Sequence, residues 1–335
     1  MAKSRRANAV MFGFDFQVNA AIVLMIENIE DLKSLRLEGN YEDIELELQN
    51  NRYILAQAKA VEKSSSDFRN VRKNLEKALV SLSEGGQKVD AKQLILITNS
   101  PNPLNEDASR SIFWGNAHRT FLSLPETSQE LIRGYLDNIS YPLDVNKFMI
   151  QVLPFETDED IERYKVIRKV VDDFIGDLNL NIPGLGKKLL KIWYEEVFKN
   201  GTKKEAVIQL KKKDIVWPIM VIATDIVYCD DSFADIFDSS AYDEIVRQYK
   251  DTIESCCERC EFFIKVLCDY NTYQTTKKLS DKALDFAMNK WQDYLSEFEL
   301  DGMDEEMQKG LVQIILYRIV RNRIVIQNIK KGVKL

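Results

Sequence analysis

Between residues 38 and 59 the chain reads EGNYEDIELELQNNRYILAQAK, dense in carboxylates, with one glutamine and one lysine placed two apart. DIELELQ at 43–49 alternates charged with apolar residues, the period-two signature of a half-buried strand, and YILAQAKA at 53–60 reads as a second strand. Parity decides how the two face each other. A two-residue turn at Asn50-Asn51 pairs 43 with 58 and mixes polar with apolar faces. A three-residue loop, Asn50-Asn51-Arg52, pairs 43 with 59 and 45 with 57, and both faces stay consistent. Ile44, Leu46 and Leu48 then meet Ala58, Ala56 and Ile54, while Asp43, Glu45, Gln57 and Lys59 converge on the other face. Carboxylates beside an amide oxygen suit Mg2+, which takes a few oxygen ligands and keeps waters and substrate phosphate oxygens. A lysine at that spot can orient an attacking water and steady charge on a pentacoordinate phosphorus. A solvated hairpin face with cross-strand Asp–Lys pairs fits the same spacing.

The elements that must position these residues are legible around them. A helix over 13–29 precedes, with Phe16, Ala20, Ile22, Val23 and Ile26 as its apolar run. LKSLRLEG at 32–39 is a short strand before the hairpin. Ser64-Ser65-Ser66-Asp67 starts a helix carrying Phe68, Val71, Leu75, Leu79 and Leu82 on one face, which Gly85-Gly86 ends. KQLILITNSP at 92–101 is a buried strand. The order is helix, three strands, helix, strand. Two helices follow, over 105–123 and 126–138, then a strand over 147–155. Pro154 and Thr157 mark a boundary, beyond which helices are expected over 158–177, 185–199, 204–228, 241–271, 277–297 and 304–331, with Pro218 breaking the third. The fold class is therefore α+β: residues 1–155 form a mixed α/β domain, and 156–335 a mostly α-helical domain for partner binding or oligomerisation.

The 335 residues can bury a substantial core, and 45 % apolar with 30 % charged excludes wholesale disorder, collagen and coiled coil. Forty-six basic against 53 acidic side chains argue against coating nucleic acid by bulk charge. A local basic patch remains, with nine basic and five acidic residues in 51–100, including Arg69, Arg72 and Lys73 on one helix. Five cysteines without a secretion signal point to reduced thiols, and Cys256, Cys257 and Cys260 lack the second half of a zinc site. The lone histidine, His118, reads as structural. No uncharged apolar run reaches membrane-spanning length, since AIVLMI at 21–26 is closed by Glu27, and the chain is expected to be cytoplasmic.

The ordered set over 13–98 resembles the PD-(D/E)xK nuclease superfamily, specifically its Mrr-type Gln-x-Lys branch and the effector endonucleases of bacterial anti-phage systems. GFDFQVNAAI at 13–22 is similar to their opening helix, EGNYEDIEL to their acidic motif and ILAQAK to their Gln-x-Lys strand. The stretches FMIQVLPFE and LLKIWYEEVFKNG look like their nuclease-to-helical junction. The chain looks most like the nuclease subunit of Lamassu-type complexes and is also similar to CBASS-associated double-strand endonucleases. The resemblance implies a restriction-endonuclease-like αβββαβ domain that hydrolyses double-stranded DNA with Mg2+ or Mn2+. Asp43 would be the central metal ligand, Gln57 the second and Glu38 an additional one. Lys59 would be the catalytic lysine and Gln17 a first-helix residue lining the site, with Glu45 able to substitute as a ligand. It implies control by partners, an SMC-like ATPase and an accessory subunit in a Lamassu-type complex, and a homo-oligomer when active. The apolar run Leu311, Ile314, Ile315, Ile319 and Ile324 is expected to bury surface against another subunit. The alternative is a catalytically degenerate subunit that only binds nucleic acid or protein.

Overall fold

A computed structural model describes residues 8–223 apart from 157, 181 and 206, then 244, 245, 247 and 249, and 259–335 apart from 279, 280, 299 and 301. The chain groups into two compact units, Met1–Gly176 with Gly186–Ile215, and Asp177–Leu185 with Val216–Leu335. The first is α+β, built on a mixed seven-stranded sheet; the described part of the second is helical.

The first unit opens with α1 (Asn8–Glu27), then β1 (Leu32–Leu37), β2 (Ile44–Leu48), β3 (Tyr53–Lys59), α2 (Val71–Lys88) and β4 (Ala91–Thr98). This is the expected order of helix, three strands, helix, strand. The strands β1, β2 and β3 form an antiparallel meander, and α2 carries the chain over to β4, which runs parallel to β3. A short helix α3 (Asp107–Arg110), β5 (Ala117–Thr120), α4 (Glu126–Leu136) and β6 (Phe148–Val152) extend the sheet beyond β4, with β6 parallel to β4 and antiparallel to β5. Leu55, Leu94, Leu96, Phe148 and Ile150 line the face that α2 covers with Leu75, Leu79 and Leu82. On the opposite face α1 packs its apolar run against β1, β2 and β3. α1 is long and apolar enough to cross a membrane by composition, yet 61 % of its most apolar 18-residue window is buried inside the protein, as in a core helix.

The expected boundary at 155/156 does not coincide with this grouping. Helices α5 (Asp160–Arg163), α6 (Lys165–Asp177) and α7 (Leu185–Gly201) follow, then β7 (Leu210–Lys211), and almost all of this belongs with the sheet. The reason is polar. Arg36 of β1 is buried and donates to the carbonyls of Asn200 (2.7 Å), Lys203 (2.7 Å) and Ile208 (3.0 Å). Asn200 Oδ1 accepts from the Leu37 amide, and β7 pairs with β1, closing that edge of the sheet. Asp15 of α1 accepts from the hydroxyls of Tyr164 and Tyr194, fixing α7 and the α5–α6 link on the same helix.

Several expectations shift. α2 begins at Val71 rather than near Ser64, and it runs through Gly85-Gly86. The expected helix over 105–123 is instead α3 and the edge strand β5. Residues expected as one helix over 204–228 give β7 and α8 (Lys212–Ala223), and Pro218 lies inside α8 without ending it. Thr157, Cys256, Cys257 and much of the first half of the helix expected over 241–271 fall outside the described residues. The second unit contains α9 (Cys260–Thr272), α10 (Lys282–Lys290), α11 (Glu305–Arg321) and α12 (Arg323–Val333). Leu311, Ile314, Ile315 and Ile319 are at most 1 % exposed within α11, so this run forms the unit's own core rather than a face for another subunit.

Candidate active site

The hairpin that carries the site keeps the expected faces but slides by two residues. Ile44 pairs with Ala56, Leu46 with Ile54 and Glu47 with Tyr53, so Asp43 comes opposite Gln57 and not Lys59. The loop is still three residues long, but it is Gln49-Asn50-Asn51. Asn51 takes the left-handed conformation, φ 59°, that asparagine tolerates, and the Leu48 amide donates to the Arg52 carbonyl across the loop. Gln49 leaves the ladder because its amide donates to Asp31 and its side chain to Leu32.

At the far end of the hairpin five residues converge. Asp43 Oδ2 accepts from the Gln57 side-chain amide and, at 3.1 Å, from the Ala58 backbone amide. Lys59 Nζ stands 3.9 Å from the same oxygen. Gln17 of α1 is buried and donates to Glu38 Oε1 at 2.7 Å and to the Asp43 carbonyl at 3.2 Å, tying the first helix to both acidic residues. Asp43, Gln57, Lys59, Glu38 and Gln17, all singled out from the sequence, are therefore one constellation. It lies where parallel β3 ends, a usual location for ligand sites in such sheets. Burial pushes the Asp43 carboxyl up, Lys59 and the Ala58 amide hold it back, and the Glu38 charge raises it further.

Glu45 is placed differently. It pairs with Leu55, and its carboxylate turns back into the 39–42 bend to accept from the amides of Tyr41 and Glu42. A Cβ at Gly39 would lie 2.1 Å from that carboxylate, so a larger residue there would displace the Glu45 side chain. Glu45 thus builds the bend that aims Asp43 through one of its carboxylate oxygens. Sequence reasoning missed its neighbour Glu42, which is 6 % exposed and held against α2 by Ser81, with its Oε1 lacking a hydrogen-bond partner. No periodicity marks a residue in a bend.

The three basic residues expected to meet DNA have separate environments. Arg69 is exposed and paired with Asp67 at 2.7 Å. Arg72 donates to the carbonyls of Leu104 and Asn105, fastening the loop after β4 onto α2. Lys73 is exposed. His118 contacts Glu27 at 3.1 Å, the structural role expected of it.

Asp43 and Glu38 offer carboxylate oxygens, and Gln57 offers an amide oxygen after half a turn of its amide. Two carboxylates brought together through Gln17, beside an amide, make an oxygen donor set that fits a hard cation. Among the described residues no three His, Cys, Asp or Glu side chains stand as a ready cage. An ion here would complete its shell with water and substrate oxygens, as Mg2+ commonly does.

No protein-family model matches the chain, and no curated protein or solved structure gives a significant match.

Proposed function

We propose that the chain is a metal-dependent endonuclease acting on double-stranded DNA, with a restriction-endonuclease-like core formed by α1 to β4. The observation that carries this reading is the meeting of Asp43, Gln57 and Lys59 at the end of β3, with Glu38 and Gln17 joined to them. Asp43, Glu38 and the Gln57 amide would hold Mg2+, which when bound polarises a phosphoryl oxygen and lowers the pKa of a bound water. Lys59 sits where an ammonium can orient the attacking water and offset charge developing on the phosphate oxygens. Gln17 holds Glu38 in place through its amide. Effectors of the kind the sequence resembles are restrained by partner subunits, and we assign this chain the same dependence.

The test is plasmid cleavage by the purified protein with Mg2+ and with EDTA. Lys59→Ala and Asp43→Ala should each abolish Mg2+-dependent cutting while shifting folding stability by no more than about 1 kcal/mol, because both side chains are partly exposed. Full cutting by both variants would defeat the assignment. DNA binding without cleavage by the wild type, in the presence of Mg2+ and Mn2+, would favour the degenerate binding subunit, for which the neutral Gln57 is the motivating feature.

A further inference from the structure

Three large apolar side chains of the first unit, Val10, Met11 and Phe198, open onto one groove of about 790 Å3, where they are 76, 70 and 42 % exposed. Two helices supply its apolar walls. Val10, Met11 and Phe14 stand on neighbouring turns of α1, while Tyr194 and Phe198 are one turn apart on α7. Phe14 meets Phe198 edge-on at 5.4 Å, and Phe198 stacks on Tyr194 at 6.4 Å. Asp15, also lining the groove, accepts from the Tyr164 and Tyr194 hydroxyls at 2.8 and 3.0 Å and so holds α7 against α1. The rings are therefore fixed before anything covers them. Apolar surface gathered in one place on a rigid frame gains by being covered. An open groove of this size suits a chain segment, since a small molecule needs most of its surface enclosed.

The charge of the groove selects its occupant. Asp15, Glu62, Glu156 and Asp158 line it against one cation among its described lining residues, Arg163: four negative and one positive, net −3. Glu62 and Asp158 are exposed. Glu156 accepts from the Ser65 amide and hydroxyl, neutral donors that leave its charge in place. Arg163 shows how a guanidinium fits such surroundings. It lies over the Phe12 and Phe155 rings at 5.4 and 5.5 Å, with Nη2 3.3 Å from Asp158. Carboxylates in excess repel the phosphates of DNA and of an anionic membrane surface. Aromatic and aliphatic surface edged by those carboxylates is complementary to arginine set between apolar side chains.

We propose that this groove is a docking surface for a basic, amphipathic segment of a partner protein, with its apolar side chains against Val10, Met11 and Phe198 and its arginines toward Glu62 and Asp158. Glu62 lies three residues beyond Lys59, so the docked segment reaches the chain that leaves the candidate site. The surface needs nothing from the metal chemistry and stands whether or not the chain cuts DNA.

The experiment measures two labelled peptides of about twelve residues and equal positive charge against the full chain by fluorescence anisotropy. One combines arginine with leucine, the other arginine with serine. The Arg/Leu peptide should bind about tenfold or more tightly than the Arg/Ser peptide. A double variant, Val10→Ser with Met11→Ser, changes two exposed side chains and should erase that margin while leaving the Arg/Ser affinity unchanged. Glu62→Lys should weaken both peptides. Equal affinities in the wild type, or a margin that survives the double variant, overturn the docking surface. A wild-type dimer by light scattering that the double variant dissolves gives the groove to a second copy. An Arg/Leu peptide that binds only after Lys3, Arg5 and Arg6 are replaced by serine gives it to the chain's own first residues. Either result overturns the partner segment. The nuclease reading is decided separately, by plasmid cleavage.

Discussion

Glu42 sits beside Asp43 with one carboxyl oxygen unpaired, and burial pushes its carboxyl up to about 7, helped by the Asp43 charge and opposed by the Ser81 hydrogen bond. An acid whose folded pKa lies above its unfolded value near 4.5 contributes stability below that value and loses it as pH rises through about 7. Between pH 5 and pH 8 in EDTA the wild type should therefore lose stability, by up to about 3 kcal/mol from this group. Glu42→Gln should flatten that loss. Thermal melts that fall in parallel for both proteins over this range would remove Glu42 as its source. Asp43, Gln57 and Lys59 were legible in the sequence because strand alternation assigns a face to each residue, whatever the register. Glu42 was not, because its burial depends on α2 lying across a bend that has no period of its own. The second role of Glu45 was hidden for a related reason: nothing in the alternation says that a carboxylate will fold back onto amides four and three residues earlier.

The two glycines within α2 show how an element can hide its logic from sequence. Gly85-Gly86 reads as a helix end, yet the helix continues to Lys88. A Cβ at Gly85 would meet the Tyr41 carbonyl at 2.8 Å, whereas at Gly86 the nearest atom is a Leu94 methyl at an ordinary 3.5 Å. Gly85 therefore lets the bend that carries Glu42 lie directly on the helix, and Gly86 does nothing comparable. Gly85→Ala should destabilise the protein, because a backbone clash costing about 1–3 kcal/mol outweighs the roughly 1 kcal/mol of helix propensity gained. Gly86→Ala should leave stability unchanged or raise it by up to about 1 kcal/mol. Urea titrations of the two variants settle the matter, and equal shifts in the same direction would contradict it. The β3–α2–β4 crossover itself was readable, since an apolar face at helical spacing between two apolar strands allows little else. The strand β5 was not, because AHRT is four residues long with no alternation strong enough to separate it from the preceding turn of helix.

Across the whole molecule, the sheet is completed by residues distant in sequence. The Arg36 guanidinium depends on carbonyls at 200, 203 and 208, and a charge buried without them would cost several kcal/mol. A fragment of residues 1–155 should therefore fail to unfold cooperatively, while a fragment of residues 1–215 should show a single transition by circular dichroism in urea. A cooperative 1–155 fragment would restore the boundary that composition suggested. Composition misplaced it because the helices after Thr157 look alike along the chain, and only buried polar contacts, those of Arg36 and Asp15 among them, show which of them belong with the sheet. The sheet ends on its two shortest strands, four residues at β5 and two at β7, with β7 laid over the longer β1. Neither rim offers a row of free amides and carbonyls long enough to template the strand of another chain. Copies of this protein that gather on DNA would have to associate through helices or loops, and a continuous intermolecular sheet, with the fibre growth it invites, is closed to them.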